Sequence, residues 1–111
     1  MSKSFSASES QVQKSILDWL EYQHDCLAVR FGSIGIPLPD GGFRPLRRKG
    51  VSDLLVCCRG KFLAIEVKRE IGGRVSEEQK QFLHDVTVAG GSAMIARKLE
   101  DVIERINLLR K

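Results

Sequence analysis

The chain has 111 residues, a length suited to one domain with a core that needs neither disulfide bonds nor a structural metal. Its composition, with 42% apolar and 29% charged residues and a net charge of +4, is that of a soluble globular protein, and no run of about 20 apolar residues could span a membrane. The polar start MSKSFSASES lacks a secretory apolar segment, and three cysteines provide no disulfide framework. We therefore expect a cytoplasmic protein.

The first predicted element is a helix from about Glu9 to Gln23. Ser8 can cap it, and Gln11 stands three residues on, as a capping box requires. Apolar residues then recur at helical spacing on the face that should meet the core: Val12, Ile16, Trp19 and Leu20. Glu9 projects from the first turn of that face. It could interact with the helix dipole or act as a third carboxylate at a metal site, and position alone does not separate these roles.

A strand is predicted at Cys26 to Phe31, at or near the sheet edge, followed by an irregular segment at 32–49. That segment, GSIGIPLPDGGFRPLRRK, holds four glycines and all three prolines, a composition typical of a mobile loop or a splayed hairpin. It ends in a basic run suited to contacting a nucleic-acid backbone. The candidate DNA-binding residues are Arg44, Arg47, Arg48 and Lys49.

Two apolar strands follow, from Asp53 to Cys58 and from Lys61 to Lys68, joined by a two-residue turn with a glycine. In this hairpin Asp53 lies opposite Glu66, with Cβ atoms about 5 Å apart. Glu66 and Lys68 share one face because side chains alternate along a strand. Two opposed carboxylates repel unless a cation joins them, and a hard divalent cation such as Mg²⁺ would do so. The alternative is an exposed face on which Lys68 neutralises Glu66.

Charge is distributed unevenly around this hairpin. Residues 43–69 contain eight basic and two acidic residues, a net charge of +6, whereas residues 1–42 sum to −2 and residues 70–111 balance at seven of each. A basic belt around a few acids suits a polyanion bound through its phosphates, although an ordinary basic patch has the same composition. The adjacent Cys57 and Cys58 are expected to be small core residues.

The rest of the chain predicts a turn at Arg69 to Val75, a capped helix, a short buried strand at Ser92 to Ala96 and a final amphipathic helix. The second helix should begin after Ser76, with Gln79 as the capping-box partner and as the first residue facing the sheet. Helix, strand, hairpin, helix, strand and helix in this order predict an α/β fold, a mixed central sheet flanked by helices.

These residues resemble the VRR-NUC domain, a branch of the PD-(D/E)XK nuclease superfamily, over nearly the whole chain. The resemblance rests on the order and spacing of several segments: SESQVQKSILDWL with its glutamate, VRFGSIG, GVSD, IEVK, SEEQKQFL and AGGSAMIA. One departure is that the superfamily's namesake proline-aspartate is Ser52-Asp53 here. The resemblance implies one nuclease domain over 1–111 with a restriction-endonuclease-like core.

The resemblance also implies a metal site. Asp53 and Glu66 would bind Mg²⁺ or Mn²⁺ together with the backbone carbonyl of Val67, and Glu9 would complete the site directly or through water. The ion would polarise the phosphoryl oxygen and help to activate water. Lys68 would orient that water or stabilise charge on the phosphate.

The implied function is that of a metal-dependent, structure-specific DNA endonuclease acting on branched DNA such as Holliday junctions. In this family pattern Gln79 would position Lys68 or the water. Cutting two strands symmetrically needs two sites, which a homodimer supplies, and the 32–49 segment and the first helix are candidate interface elements. Two alternatives are a non-catalytic DNA-binding module on a nuclease fold and a restriction-type duplex nuclease.

Overall fold

The order of helices and strands follows the sequence pattern. The computed structural model describes residues 6–31, 36–44 and 48–111. The predicted α/β class is confirmed. In chain order the elements are α1 (Glu9–Glu21), β1 (Cys26–Arg30), β2 (Ile36–Pro37), β3 (Phe43–Arg44), β4 (Leu54–Cys58), β5 (Lys61–Val67), α2 (Glu77–Val88), β6 (Ser92–Ala96) and α3 (Leu99–Leu109).

A mixed four-stranded sheet lies at the centre, in the order β1-β4-β5-β6. The first three strands pair antiparallel, whereas β6 pairs parallel with β5. A parallel neighbour requires a long crossover connection, and α2 supplies it. The carboxyl ends of β5 and β6 therefore lie side by side, and the Lys68 amide donates to the Ala96 carbonyl just beyond them at 2.9 Å.

The β4–β5 hairpin has the predicted register, with Cys58 opposite Lys61 and Leu54 opposite Ile65. Its two-residue turn has positive φ at both positions, 53° at Arg59 and 81° at Gly60. Turns of this kind match the twist of the flanking strands, which is why they dominate short hairpins. The turn thus sets which residues face each other at the far end of the hairpin.

One face of the sheet is covered by α1 and α3, which also contact each other. The predicted inward face of β5 is confirmed, because Leu63, Ile65 and Val67 are fully buried. Burial of such side chains is the main favourable term in folding. The other members of this core come from both helices and from β4 and β6: Val12, Ile16, Leu20, Leu54, Val56, Cys58, Ala96, Val102 and Ile106.

The opposite face is only half covered, because α2 packs on β5 and β6. Across β1, β4 and β5 the strand registers align Leu27 with Cys57 and Phe62, and Val29 with Leu55. Leu27 is 70% exposed and Val29 is 51% exposed. We call these five residues the open face.

Both predicted capping boxes are confirmed. The Ser8 hydroxyl accepts the Gln11 amide and the Ser76 hydroxyl accepts the Gln79 amide, and each glutamine side chain accepts the amide of its serine. The first helix ends at Glu21, two residues before the predicted boundary, and β1 ends at Arg30. Phe31 continues the pairing by one bond, its amide donating to the Asp53 carbonyl at 2.8 Å.

Two sequence expectations are wrong. The strand at 92–96 is an edge strand of this sheet, with no described strand paired to its outer side, and Ile95 is exposed. Cys57 is exposed as well, because it points to the open face, whereas Cys58 points to the core as expected.

The 32–49 segment contains a short hairpin, one of the two predicted alternatives. Its strands β2 and β3 pair antiparallel, with Ile36 opposite Arg44. Residues 32–35 and 45–47 lie outside the described part of the chain. Among the described residues, no helix has the length and apolar content needed to cross a bilayer.

Candidate active site

Asp53 and Glu66 meet at the end of the β4–β5 hairpin, as the register predicts. Asp53 directly precedes β4, one step beyond the Leu54–Ile65 pair. Its Oδ2 accepts the Val67 amide at 2.8 Å. The half-buried carboxylate is therefore held against the last residues of β5 by a backbone bond, and it faces Glu66.

The Glu66 carboxylate is the central feature of this site, because the residue is only 1% exposed. Its Oε1 accepts the side-chain amide of Gln79 at 3.0 Å and lies 3.6 Å from the Lys68 ammonium. Its Oε2 is buried without a hydrogen-bond partner among the described residues. A buried carboxylate oxygen with no partner is unfavourable, so this atom marks a place where a ligand would stabilise the fold.

Burial and the neighbouring acid raise the pKa of Glu66 to about 8. Desolvation is the larger cause, followed by the adjacent Asp53 carboxyl, while Lys68 acts in the opposite direction and Glu9 adds a smaller repulsion. An acid whose ionisation is opposed by burial and by a neighbouring carboxyl group indicates a place for positive charge.

Lys68 is also buried, with 7% of its surface exposed. It follows β5 directly, and its side chain packs against Gly73. A Cβ added to Gly73 would lie 3.5 Å from the Lys68 Cβ. An ammonium group is rarely buried without a partner, and here the partner is Glu66. The predicted alternative, an exposed face carrying Glu66 and Lys68, is therefore wrong.

Gln79 links the cap of α2 to the site. Its Oε1 accepts the Ser76 amide at 2.8 Å while its Nε2 donates to Glu66. One side chain thus begins the helix and orients the buried carboxylate. Its described contact is with Glu66 rather than with Lys68.

Two residues of the GVSD segment hold this arrangement in ways that the sequence did not indicate. A Cβ on Gly50, whose φ is +80°, would overlap the Glu78 carbonyl and lie 2.7 Å from the Gln79 nitrogen. Ser52, in place of the namesake proline, is fully buried, and its hydroxyl donates to the Leu54 carbonyl at 3.3 Å. Glycine at 50 is the only residue type that lets the chain approach α2 this closely.

Glu9 lies at the edge of the site rather than inside it. It is exposed, and with Lys68 it lines a groove beside the buried acids. In the described part of the chain, Glu9, Asp53 and Glu66 do not form a group with all ligand atoms within 4.8 Å of one another. Of the two predicted modes, contact through water fits this placement better than direct ligation.

The donors present fit a hard divalent cation. Asp53 and Glu66 supply carboxylate oxygens, the ligands that Mg²⁺ and Mn²⁺ prefer, and Glu66 Oε2 has no competing protein partner among the described residues. Participation of the Val67 carbonyl stays a prediction; the amide of that residue holds Asp53.

A second group of potential ligands lies at the other end of the hairpin, where Asp25, Cys26 and Cys58 place ligand atoms within 4.8 Å of one another. Sequence reasoning missed it, because the residues meet through strand pairing. Asp25 is already neutralised by Arg110, whose guanidinium donates to both carboxylate oxygens at 2.9 and 2.8 Å. Burial raises the pKa of the Cys26 thiol to about 12, which keeps it protonated. We interpret this group as a structural ion pair beside two thiols.

The predicted DNA-binding run is only partly described. The Arg48 guanidinium pairs with Asp85 and lies over the Phe82 ring, 5.2 Å from its centroid, so it packs on α2. Lys49 is exposed. Arg47 and the side chain of Arg44 lie outside the described residues. Binding of DNA by this run stays a prediction.

Comparison with known proteins bears on the family and the fold of the chain. The sequence model of the VRR-NUC domain matches residues 7–98. A solved structure described as a VRR_NUC domain protein is similar over 93% of this chain and 88% of its own, with a TM-score of 0.62 and 18% identity. At that identity the likeness concerns the fold alone. No curated protein matches the chain.

Proposed function

This chain belongs to the VRR-NUC domain family of the PD-(D/E)XK superfamily, and from that premise we propose that it is a metal-dependent, structure-specific DNA endonuclease. Membership implies a nuclease-type function with DNA as the substrate. The finer proposal is hydrolysis of phosphodiester bonds in branched DNA such as Holliday junctions, with Mg²⁺ or Mn²⁺ as the cofactor.

One observation carries the proposal: a buried glutamate has an unpartnered oxygen next to a second acid and a buried lysine. In a structural ion pair, protein donors can satisfy both carboxylate oxygens. A metal ion instead requires a carboxylate oxygen that is free to bind it. The raised pKa of Glu66 supports the same conclusion, since perturbed acids cluster at functional sites.

The residues of the chain suggest distinct roles. A bound divalent ion supplies charge that polarises the phosphoryl group and lowers the pKa of water. Gln79 and the Val67 amide hold the Glu66 and Asp53 carboxylates in fixed orientations. The Lys68 ammonium is placed to orient the attacking water or to stabilise negative charge on the phosphate. Water adds to phosphorus, one ester bond breaks, and the departing oxygen takes up a proton.

A homodimer is proposed from the substrate, because two symmetric cuts need two sites. The open face is a candidate location for the dimer interface, and it differs from the two candidates named from the sequence, the 32–49 segment and α1. It is apolar and uncharged, and a second copy would present the same surface across a two-fold axis. Light scattering at micromolar concentration should therefore give twice the mass of the chain, and a monomer would contradict this part of the proposal.

The test of the main proposal compares four-way junction, flap and linear duplex DNA with Mg²⁺ present. Asp53→Ala and Lys68→Ala should each abolish cleavage. Asp18→Asn, which changes an exposed acid of α1, is the matched control and should cut like the wild type. Survival of cleavage in both site variants would place the active site elsewhere.

The same assay decides between the alternatives. A non-catalytic module would bind DNA and leave every substrate intact in Mg²⁺ and Mn²⁺. A restriction-type enzyme would cut linear duplex at least as well as junctions. A cytoplasmic location stays a proposal, with which the free thiols Cys26, Cys57 and Cys58 are compatible.

A further inference from the structure

A groove of about 1030 Å³ opens beside the candidate active site, between the N-terminal turn of α1 and the turn at 69–75. We call it the cationic groove and define it by Glu9, Lys68, Arg69, Ile71 and Arg74. It shares Glu9 and Lys68 with the site. A polymer with one phosphate at the site must continue past it, and this groove offers the adjoining path.

Positive charge predominates in the groove. Lys68, Arg69 and Arg74 line it against the single carboxylate of Glu9. Arg69 and Arg74 are exposed, and in residues 6–31, 36–44 and 48–111 neither has a carboxylate within 4.0 Å. Free guanidinium groups bind phosphates bidentately, so these two are available for a nucleic-acid backbone.

The turn that carries these arginines is held in shape. Gly72 and Gly73 have φ values of +80° and +77°. The Arg69 guanidinium lies only 3.1 Å from the point that a Cβ on residue 72 would occupy, so it can pack there because residue 72 has no side chain. Arg97, which follows β6, donates to the carbonyls of Arg69 and Gly72 and, at 3.4 Å, to that of Gly73. Because its donors go to the turn's backbone, Arg97 acts as a positioning residue and not as a phosphate ligand.

An apolar residue lies between the two arginines in the chain and lines the same groove. Ile71 is 67% exposed on this turn, where a polar side chain would be expected. Apolar side chains next to phosphate-binding groups pack against base faces in nucleic-acid complexes, and they require a base that is unstacked. A free phosphate ion or a duplex whose base pairs stay stacked would leave Ile71 in water.

We propose that the cationic groove binds the DNA strand being cut where it leaves the paired region, with Arg69 and Arg74 on its phosphates and Ile71 against an unpaired base. This inference rests on the proposed function and gives a physical basis for a preference for branched DNA. Arg97 maintains the shape of the turn.

The test measures binding with EDTA present, by fluorescence anisotropy on forked and fully paired DNA of equal length. Arg69→Gln with Arg74→Gln should weaken binding of forked DNA about tenfold. It should also reduce the slope of log K against log salt by about 1.5, the value for two lost phosphate contacts. Lys14→Gln with Lys111→Gln removes the same charge from exposed positions outside the groove. For both the affinity and the salt slope, this control should show less than half of the change seen with the double arginine variant.

Two further variants separate the roles. Ile71→Ser should weaken forked DNA about threefold or more and leave paired duplex unchanged. Arg97→Met, checked for folding by circular dichroism, should weaken binding of forked DNA and reduce the salt slope by less than the Arg69 and Arg74 double variant does, because both phosphate-binding side chains are still present. Unchanged binding in Arg97→Met would remove that residue's positioning role.

If the double glutamine variant binds like its control, the groove inference is wrong, even when the wild type cuts DNA through Asp53 and Glu66. If binding depends on the groove and no substrate is cut, the inference survives and the endonuclease proposal fails.

Discussion

The two faces of the central sheet differ in how they are covered. Under α1 and α3, side chains such as Leu54 and Ile65 are fully buried. On the other face the same strands carry the Asp53–Glu66 pair at one end and exposed apolar residues at the other. A face that is completely covered stabilises the fold, whereas a face covered at one end can hold a shielded polar site beside an open surface.

The cause of this difference is the path of α2. As the crossover between two parallel strands it lies over β5 and β6, and it brings Gln79 to Glu66. In the described part of the chain, α2 makes no extensive contact with β1 or β4. The half-covered face therefore follows from topology, and each prediction below perturbs one face and compares it with the other.

The largest effect is expected on the covered face. Ile65→Ala should reduce the free energy of unfolding by about 2–5 kcal/mol, because it removes a fully buried side chain and leaves a cavity. Leu27→Ala on the open face should change the free energy of unfolding of the monomer by less than about 0.5 kcal/mol. Urea denaturation of both variants, at protein concentrations too low for a dimer to form, measures the contrast, and similar losses would mean that the open face is covered within the monomer.

A smaller loss is expected where the chain touches α2. Gly50→Ala would force a Cβ into the first turn of α2 and should lower stability by about 2–3 kcal/mol while weakening Mg²⁺ binding. Gly60→Ala is the control, because its φ is also positive, at +81°, and no atom lies within 4 Å of the added Cβ. It should lose only about 1 kcal/mol, the strain of the backbone conformation. Equal losses would show that α2 yields to the added carbon.

The buried acid should make stability depend on pH. Since the folded pKa of Glu66 is about 8 and the ordinary value is 4.5, the folded protein keeps a proton that the unfolded chain loses between these values. Stability without metal should fall as pH rises from 4.5 to 8 and level off above. In Glu66→Gln the melting temperature should fall less over that range than in the wild type. Glu21→Gln, an exposed acid of α1, is the control and should behave like the wild type.

Metal should reverse this trend. Mg²⁺ binds the carboxylate form, so it must displace a proton at low pH, and it should raise the melting temperature of the wild type more at pH 8 than at pH 6. The Gln variant should show little response at either pH. A metal response that is independent of pH would mean that Glu66 is ionised in the metal-free fold.

The smallest effect on stability, and the sharpest effect on assembly, is expected at the open face. Val29→Asp places a charge at a position that is already half exposed, so the monomer should keep its stability within about 0.5 kcal/mol. If the open face is the dimer interface, light scattering should change from dimer to monomer. A dimer that persists would exclude this face.

Much of the fold was predictable because local chemistry decided it. The serine and glutamine of each capping box lie three residues apart, and the two-residue turn determined that Asp53 meets Glu66. Such features need only neighbouring residues and a few hydrogen bonds. The capping boxes and the hairpin register form in the same way whatever the position of the helix or hairpin in the fold.

The sequence by itself therefore determined the elements, the hairpin register and the residues that meet at the acid pair. Tertiary structure alone decided that Glu66 is buried with one oxygen unpartnered and that Cys57 is exposed. It also decided that Arg97 donates a hydrogen bond to a turn 25 residues earlier in the chain. The reason is that burial and long-range hydrogen bonds depend on where helices cross the sheet, and that placement results from the packing of the whole core rather than from any one segment.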